Sequence, residues 1–304
     1  MGSRWFARWD EFVRRRSLLA ASILLISAYV TFTLTSILVR VAAEDVPILM
    51  IIYIRQVISL LIMMPFFIHQ RAAIMRSRHF KLHSLRGLTA IGGMFCGLTS
   101  VTYAPLADVT AIQMSEVLFT TLMAASFFAE QVDRHRWIAV FIGFAGVVIM
   151  LRPFSDGFNA FMLIALAGAV FNALSVLVLR IGSDHDSAVV VLFYQGIVIV
   201  GLMSVPAFWF WQAVSWHGLM VVCLMSVLQA LGQWLFTLAV RVGQASALAP
   251  LNYIRLVMMA LVGWLFYDEQ PGTFTLIGGI LIVGSVTYTL QRNSKSVLRP
   301  DAAK

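Results

Sequence analysis

Charge is what this sequence has least of: Asp, Glu, Lys and Arg make up 12% of its 304 residues, while 60% are hydrophobic. A soluble domain carries about a quarter charged residues, so this composition excludes one, and the mean hydropathy of +0.88 agrees. Cysteine is nearly absent. The two that occur, Cys96 and Cys223, stand alone inside apolar runs, which excludes a CxxC pair and a disulfide framework. The six histidines fall in connections or at the ends of apolar runs and form no HExxH, so no metal site is expected. There is no GxSxG and no P-loop, hence no ATP hydrolysis by this chain, and no cofactor is implied. A net charge of +8 would suit nucleic acid. The basic residues are scattered between apolar runs instead of sharing a soluble face, and no nucleic-acid partner is expected.

What the sequence does contain is apolar runs of the length a bilayer requires, about 20 residues. Ten can be drawn: 17–40, 47–69, 84–103, 106–129, 135–151, 158–180, 187–210, 217–240, 244–267 and 271–291. They predict an all-α integral membrane protein whose surroundings are the lipid bilayer. The amino-terminal stretch MGSRWFARWDEFVRRRS lacks the cleavage context of a signal peptide. Its Arg4, Trp5, Arg8, Trp9 and Phe12 suit either a short helix at the headgroup level or a disordered tail.

Basic residues orient the spans. With the amino terminus in the cytoplasm, 18 of the 22 Lys and Arg fall on the cytoplasmic side. Arg40 and Arg152 fall outside, and Arg55 and Arg255 within spans. Both termini are then cytoplasmic, in a multi-pass protein of the cell membrane, plasma or inner.

The two halves also match each other. A shift of 139 sets Gln113 against Asn252, Glu116 against Arg255 and Glu130-Gln131 against Glu269-Gln270; a shift of 140 sets Arg40 against Arg180 and Arg55 against Gln195. The expected organisation is a cytoplasmic segment 1–16, a five-helix unit 17–151, an outer linker 152–157, a second five-helix unit 158–291 and a cytoplasmic tail 292–304. Five spans is an odd number, so the second unit runs in the opposite sense across the bilayer. Inverted units of this kind build transporter sites near mid-depth at their interface.

Further residues point the same way. Pro105-Leu106-Ala107-Asp108, Thr110-Ala111-Ile112, Glu130, Arg136-Trp137, Gly143-Phe144, Gly146-Val147 and Arg152-Pro153 in the first half resemble the EamA-type members of the drug/metabolite transporter superfamily. So do Ala249-Pro250, Tyr253, Gly263, Phe266, Glu269 and Pro271 in the second. The resemblance covers nearly all of residues 17–291. It implies ten helices as two inverted five-helix repeats, a central cavity lined in part by the fourth and ninth spans, and transport of small metabolites. Many relatives have Pro in the fourth span where this chain has Val117, so a helix break there does not carry over.

Polar residues inside apolar helices mark the candidate cavity, because an intramembrane polar group is costly unless it faces a bundle interior or water. The candidate substrate-binding residues are Tyr29, Arg55, Gln113, Glu116, Asn172, Gln195, Gln229, Gln233, Asn252, Tyr253 and Arg255. Thr33, Ser36, Ser59, Thr120 and Ser175 share those faces, with bonds to their own helix as the alternative. Gln113, Glu116 and Thr120 lie at helical spacing on one face. Glu116 and Arg255 are either a structural ion pair or a substrate site, Glu116 for an amine or proton and Arg255 for an anion. Arg55 is a cavity group or snorkels outward, Arg40 is expected as a topology anchor, and Asp108 as a helix cap.

An intramembrane enzyme needs two facing carboxylates, a nucleophile with its base or clustered metal ligands, and Glu116 is the sole deep carboxylate. A non-transporting scaffold leaves the three deep charges unexplained. The expected function is therefore secondary transport of a small polar or zwitterionic metabolite, amino-acid-like or nucleoside- or vitamin-like, by alternating access. Protons are a candidate coupling ion, and the oligomeric state, monomer or homodimer, is open.

Overall fold

The computed structural model describes residues 17–77, 79–128, 134–153, 159–182, 188–242, 251 and 254–297, which contain twelve α-helices and no strand. In chain order these are α1 (Ser17–Asp45), α2 (Ile48–His69), the short α3 (Arg71–Arg76), α4 (Phe80–Tyr103), α5 (Leu106–Gln113) and α6 (Glu116–Phe128). Then follow α7 (Arg134–Leu151), α8 (Ala160–Gly182), α9 (Ala188–Trp209), α10 (Trp216–Val242), α11 (Ile254–Tyr267) and α12 (Thr273–Val297). Among the described residues six stretches are long and apolar enough to cross a membrane, one of them running through α5 and α6 as Leu106–Phe127. The apolar parts of α7, α11 and α12 are shorter.

Proline sets two of the boundaries. Pro47 precedes α2 and Pro105 precedes α5, and Ala104, which a following proline drives out of helical geometry, is extended at φ −129°, ψ 158°. Pro65 inside α2 and Pro206 inside α9 are tolerated, as neighbours can satisfy the freed backbone in a membrane bundle. α1 runs five residues past the predicted end, so Arg40 lies inside a helix and not at its terminus.

The fourth apolar run does break, without proline. The Ser115 N–H donates to the Ile112 carbonyl at 3.0 Å, three residues back instead of four, and the Leu118 N–H does the same to Ser115 at 2.9 Å. The Ser115 hydroxyl also donates to Ile112 O at 2.6 Å, the local back-bonding that competes with a regular helix ladder. This tightened turn at Met114-Ser115 separates Gln113 from Glu116 and places Glu116 in the first turn of α6, where the helix dipole favours a carboxylate.

The most extensive packing joins α1 to α10, α4 to α8 and α7 to α12; α2 packs on α9, α9 on α4, α10 on α2, α11 on α5 and α1, and α8 on α5 and α6. Close approach requires glycine at two of these crossings. A Cβ at Gly92 would lie 2.7 Å from the Phe171 ring, and one at Gly232 would lie 2.7 Å from the Phe32 ring. Away from these contacts the outward surface is apolar: Phe141, Leu265 and Ile280 are each about two-thirds exposed or more, at 67%, 68% and 71%. That surface suits lipid and is unsuited to water.

Candidate functional site

Where α1, α2, α4, α5, α8, α10 and α11 converge they leave a cavity of about 300 Å³. Its polar wall comes from Thr35 and Ser36 on α1, Arg55 on α2, Gln113 on α5, Asn172 on α8, Gln229 and Gln233 on α10 and Arg255 on α11. Phe32, Val39, Met94, Leu98 and Val101 supply the apolar wall, with Gly97 opening space on α4. A few convergent polar groups in an apolar setting of this size are the usual composition of a small-molecule pocket. Six of the sequence candidates therefore meet in one cavity: Arg55, Gln113, Asn172, Gln229, Gln233 and Arg255.

Arg255 is the centre of the charged wall. Its Nη2 reaches Gln113 Oε1 at 3.5 Å, and its buried Nε has no hydrogen-bond partner. Glu116 and Tyr29 are near enough to interact with it electrostatically, while Asn172 stands beside Glu116. No ion pair within 4 Å joins Glu116 to Arg255 among the described residues. Gln113 and Asn172, one from each half of the chain, stand beside the two charges instead.

The remaining candidates lie elsewhere. Glu116 sits just behind the cavity wall, and Tyr29 is buried in an apolar cluster with Leu25 and Met258. Gln195 is half-buried on α9, its Oε1 buried without a hydrogen-bond partner. Asn252 and Tyr253 lie outside the described residues. Thr33 and Thr120 donate to their own helices, to Tyr29 O and Glu116 O at 2.8 Å each, as does cavity-lining Ser36, to Phe32 O at 3.0 Å.

Arg40 is more than a topology anchor. Its Nη1 donates to Glu269 Oε1 at 2.5 Å, its Nη2 to Ala104 O at 2.5 Å and its Nε to Val101 O at 2.7 Å. Glu269 in turn accepts the Leu106 N–H at 2.8 Å, and the Arg40 guanidinium lies 4.3 Å from the Tyr267 ring centroid. One cation thus staples α1, the α4–α5 turn and the segment between α11 and α12. Sequence reading used Glu269 only within the family resemblance and missed this pairing, because Glu44, four residues after Arg40 on the same helix, is the local candidate and nothing in the sequence singles out Glu269 instead. Asp108 is likewise no cap. It is 7% exposed, beside Thr275, with Oδ1 unpartnered, in a second cavity of about 310 Å³ that also includes Arg152 and Glu269.

Comparison with known proteins sets this geometry in context. A model of the "EamA-like transporter family" matches the chain twice, over residues 19–152 and 159–291. An S-adenosylmethionine uptake transporter of Rickettsia bellii is 28% identical over 250 residues, covering 81% of this chain and 84% of its own. A riboflavin transporter of Vibrio cholerae is 30% identical over 227 residues, covering 74% and 76%. A pseudopaline exporter of Pseudomonas aeruginosa is 27% identical over 275 residues, covering 88% and 94%. A solved crystal structure shares the fold with a TM-score of 0.60 at 18% identity, covering 90% of this chain and 98% of that one.

Proposed function

The chain belongs to the EamA-like transporter family, and on that premise we propose that it is a secondary transporter moving a small polar or zwitterionic metabolite by alternating access to the central cavity. It is a multi-pass membrane protein, and relatives named for S-adenosylmethionine uptake, riboflavin transport and pseudopaline export support a small organic substrate. The observation that carries the reading is the cavity itself, whose polar wall is assembled from both halves of the chain.

Several contacts support two inverted five-helix units. Under the 140-residue shift the Gly92–Phe171 contact becomes Gly232–Thr31, and a Cβ at Gly232 would collide with Thr31 as well as Phe32. The same exchange turns the α1–α10 pair into α4–α8 and the α2–α10 pair into α4–α9, and maps α2–α9 and α7–α12 onto themselves. Pro65 and Pro206, 141 residues apart, fall within one residue of matching places in α2 and α9. A cavity on the axis relating two such units opens to either side in turn as they rock. With both termini cytoplasmic, Arg40 and Glu269 close the outer end, and Glu116 is the group that couples transport to protons.

The test is uptake into proteoliposomes free of ATP, across amino-acid-like, nucleoside-like and vitamin-like compounds. Saturable accumulation of at least one compound over protein-free vesicles is expected. Uptake indistinguishable from protein-free vesicles for the whole panel would count against transport.

A further inference from the structure

We propose that the cavity takes a carboxylate, held between the guanidinium groups of Arg55 and Arg255, so that the transported compound is an organic acid or a zwitterion with its acidic end at these two residues. This deepens the transport reading above and rests on it.

Two cations line one cavity of about 300 Å³, and no acidic residue lines it with them. Arg55 makes no hydrogen bond or ion pair among the described residues, and Arg255 has only the 3.5 Å contact to neutral Gln113. A buried charge is costly unless paired and hydrogen-bonded, so a wall whose two guanidiniums have no carboxylate in direct contact, and only Glu116 behind it, is incomplete by itself. The planar fork of arginine matches a carboxylate bidentately. An anion entering the cavity therefore supplies the missing partner for both groups.

Charge balance selects among anions. Arg55 and Arg255 contribute two positive charges and Glu116, behind the wall, one negative, leaving a single positive charge for the ligand to offset. A carboxylate does so, whereas a phosphate dianion leaves an excess negative charge beside Glu116. An amine on the same ligand brings the sum back to one positive charge and is therefore accommodated only beside Glu116, with Gln229 lining the cavity next to the ligand's neutral polar part.

The experiment compares each acid in the proteoliposome panel with its primary amide and with a phosphate monoester of similar size. Thermal unfolding of the purified full chain with the same compounds provides a second readout. Amidation should reduce uptake by about tenfold or more, a factor equivalent to about 1.4 kcal/mol. The acids should raise the unfolding midpoint where the amides do not, and Arg55→Gln and Arg255→Gln should each abolish that difference. Because Arg55 has no anionic group beside it in the empty protein, Arg55→Gln should fold with an unliganded midpoint equal to or above that of the parent chain, whereas Arg255→Gln also loses the attraction to Glu116 and is read through the difference between acid and amide. Equal uptake of acid and amide, preference for the phosphate ester, or acid-specific stabilisation that survives both variants would overturn the proposal. If no compound is taken up, the transport reading fails, and the unfolding comparison decides the carboxylate site alone: acid-specific stabilisation supports it and its absence refutes it.

Discussion

Arg40 and Glu269 are 229 residues apart in sequence and meet at 2.5 Å with side chains only 11% and 20% exposed. Val39, next to Arg40, and Val101, whose carbonyl Arg40 binds, both line the central cavity. The pair therefore sits at one end of that cavity and ties the first half of the chain to the second.

Breaking such a pair from one side leaves the other charge uncompensated, at a cost of about 3 kcal/mol or more. Arg40→Gln and Glu269→Gln should each lower the thermal midpoint, and the double variant should recover part of the loss. Recovery stays partial because the Val101 and Ala104 carbonyls and the Leu106 N–H lose their partners too. Additive losses across the double-mutant cycle would mean that the ion pair is not what holds these segments together.

Glu116 and Arg255 behave differently, since Gln113 and Asn172 stand beside them and no ion pair joins them. Their cycle of Gln substitutions should give a coupling clearly smaller than that of Arg40 and Glu269. A coupling as large as the outer pair's would show that the two side chains meet directly in a state the protein populates.

If Glu116 carries the coupling proton, an imposed pH difference should drive uptake above the equilibrium level in the parent chain and fail to do so in Glu116→Gln, while exchange down a concentration gradient persists. Undiminished pH-driven accumulation in the variant would remove this carboxylate from the coupling path.

The orientation has its own check. Single cysteines replacing Ser3 and Ser296, in a chain whose Cys96 and Cys223 are replaced by alanine, should react with an impermeant reagent only after cells are permeabilised. Labelling of either in intact cells would reverse or dismantle the proposed topology.

The helices were legible because apolar runs and prolines are local signals: α2, α4 and α7 end within a residue of the expected positions. The cavity was legible because Arg55, Gln113, Asn172, Gln229, Gln233 and Arg255 are polar where the bilayer penalises polarity. What stayed hidden was pairing. Arg40 looked like an anchor because the charge that neutralises it, Glu269, lies in the other half of the chain. The break at Met114-Ser115 escaped because it is made by Ser115 bonding to Ile112, where the resemblance offered only the missing proline at Val117. The apolar wall of Phe32, Val39 and Leu98 carries no sequence mark that separates it from ordinary packing.

The most direct test of transport through the cavity is to plug it. A Cβ at Gly97 would meet only Gln113 Nε2, at 3.8 Å, so Gly97→Leu should be accommodated without strain while its side chain occupies the cavity. Counterflow of a transported compound should fall to the protein-free level in proteoliposomes of this variant, with a thermal midpoint matching the parent chain. Parent-like counterflow in a folded Gly97→Leu would show that the substrate does not pass through this cavity and would contradict the account.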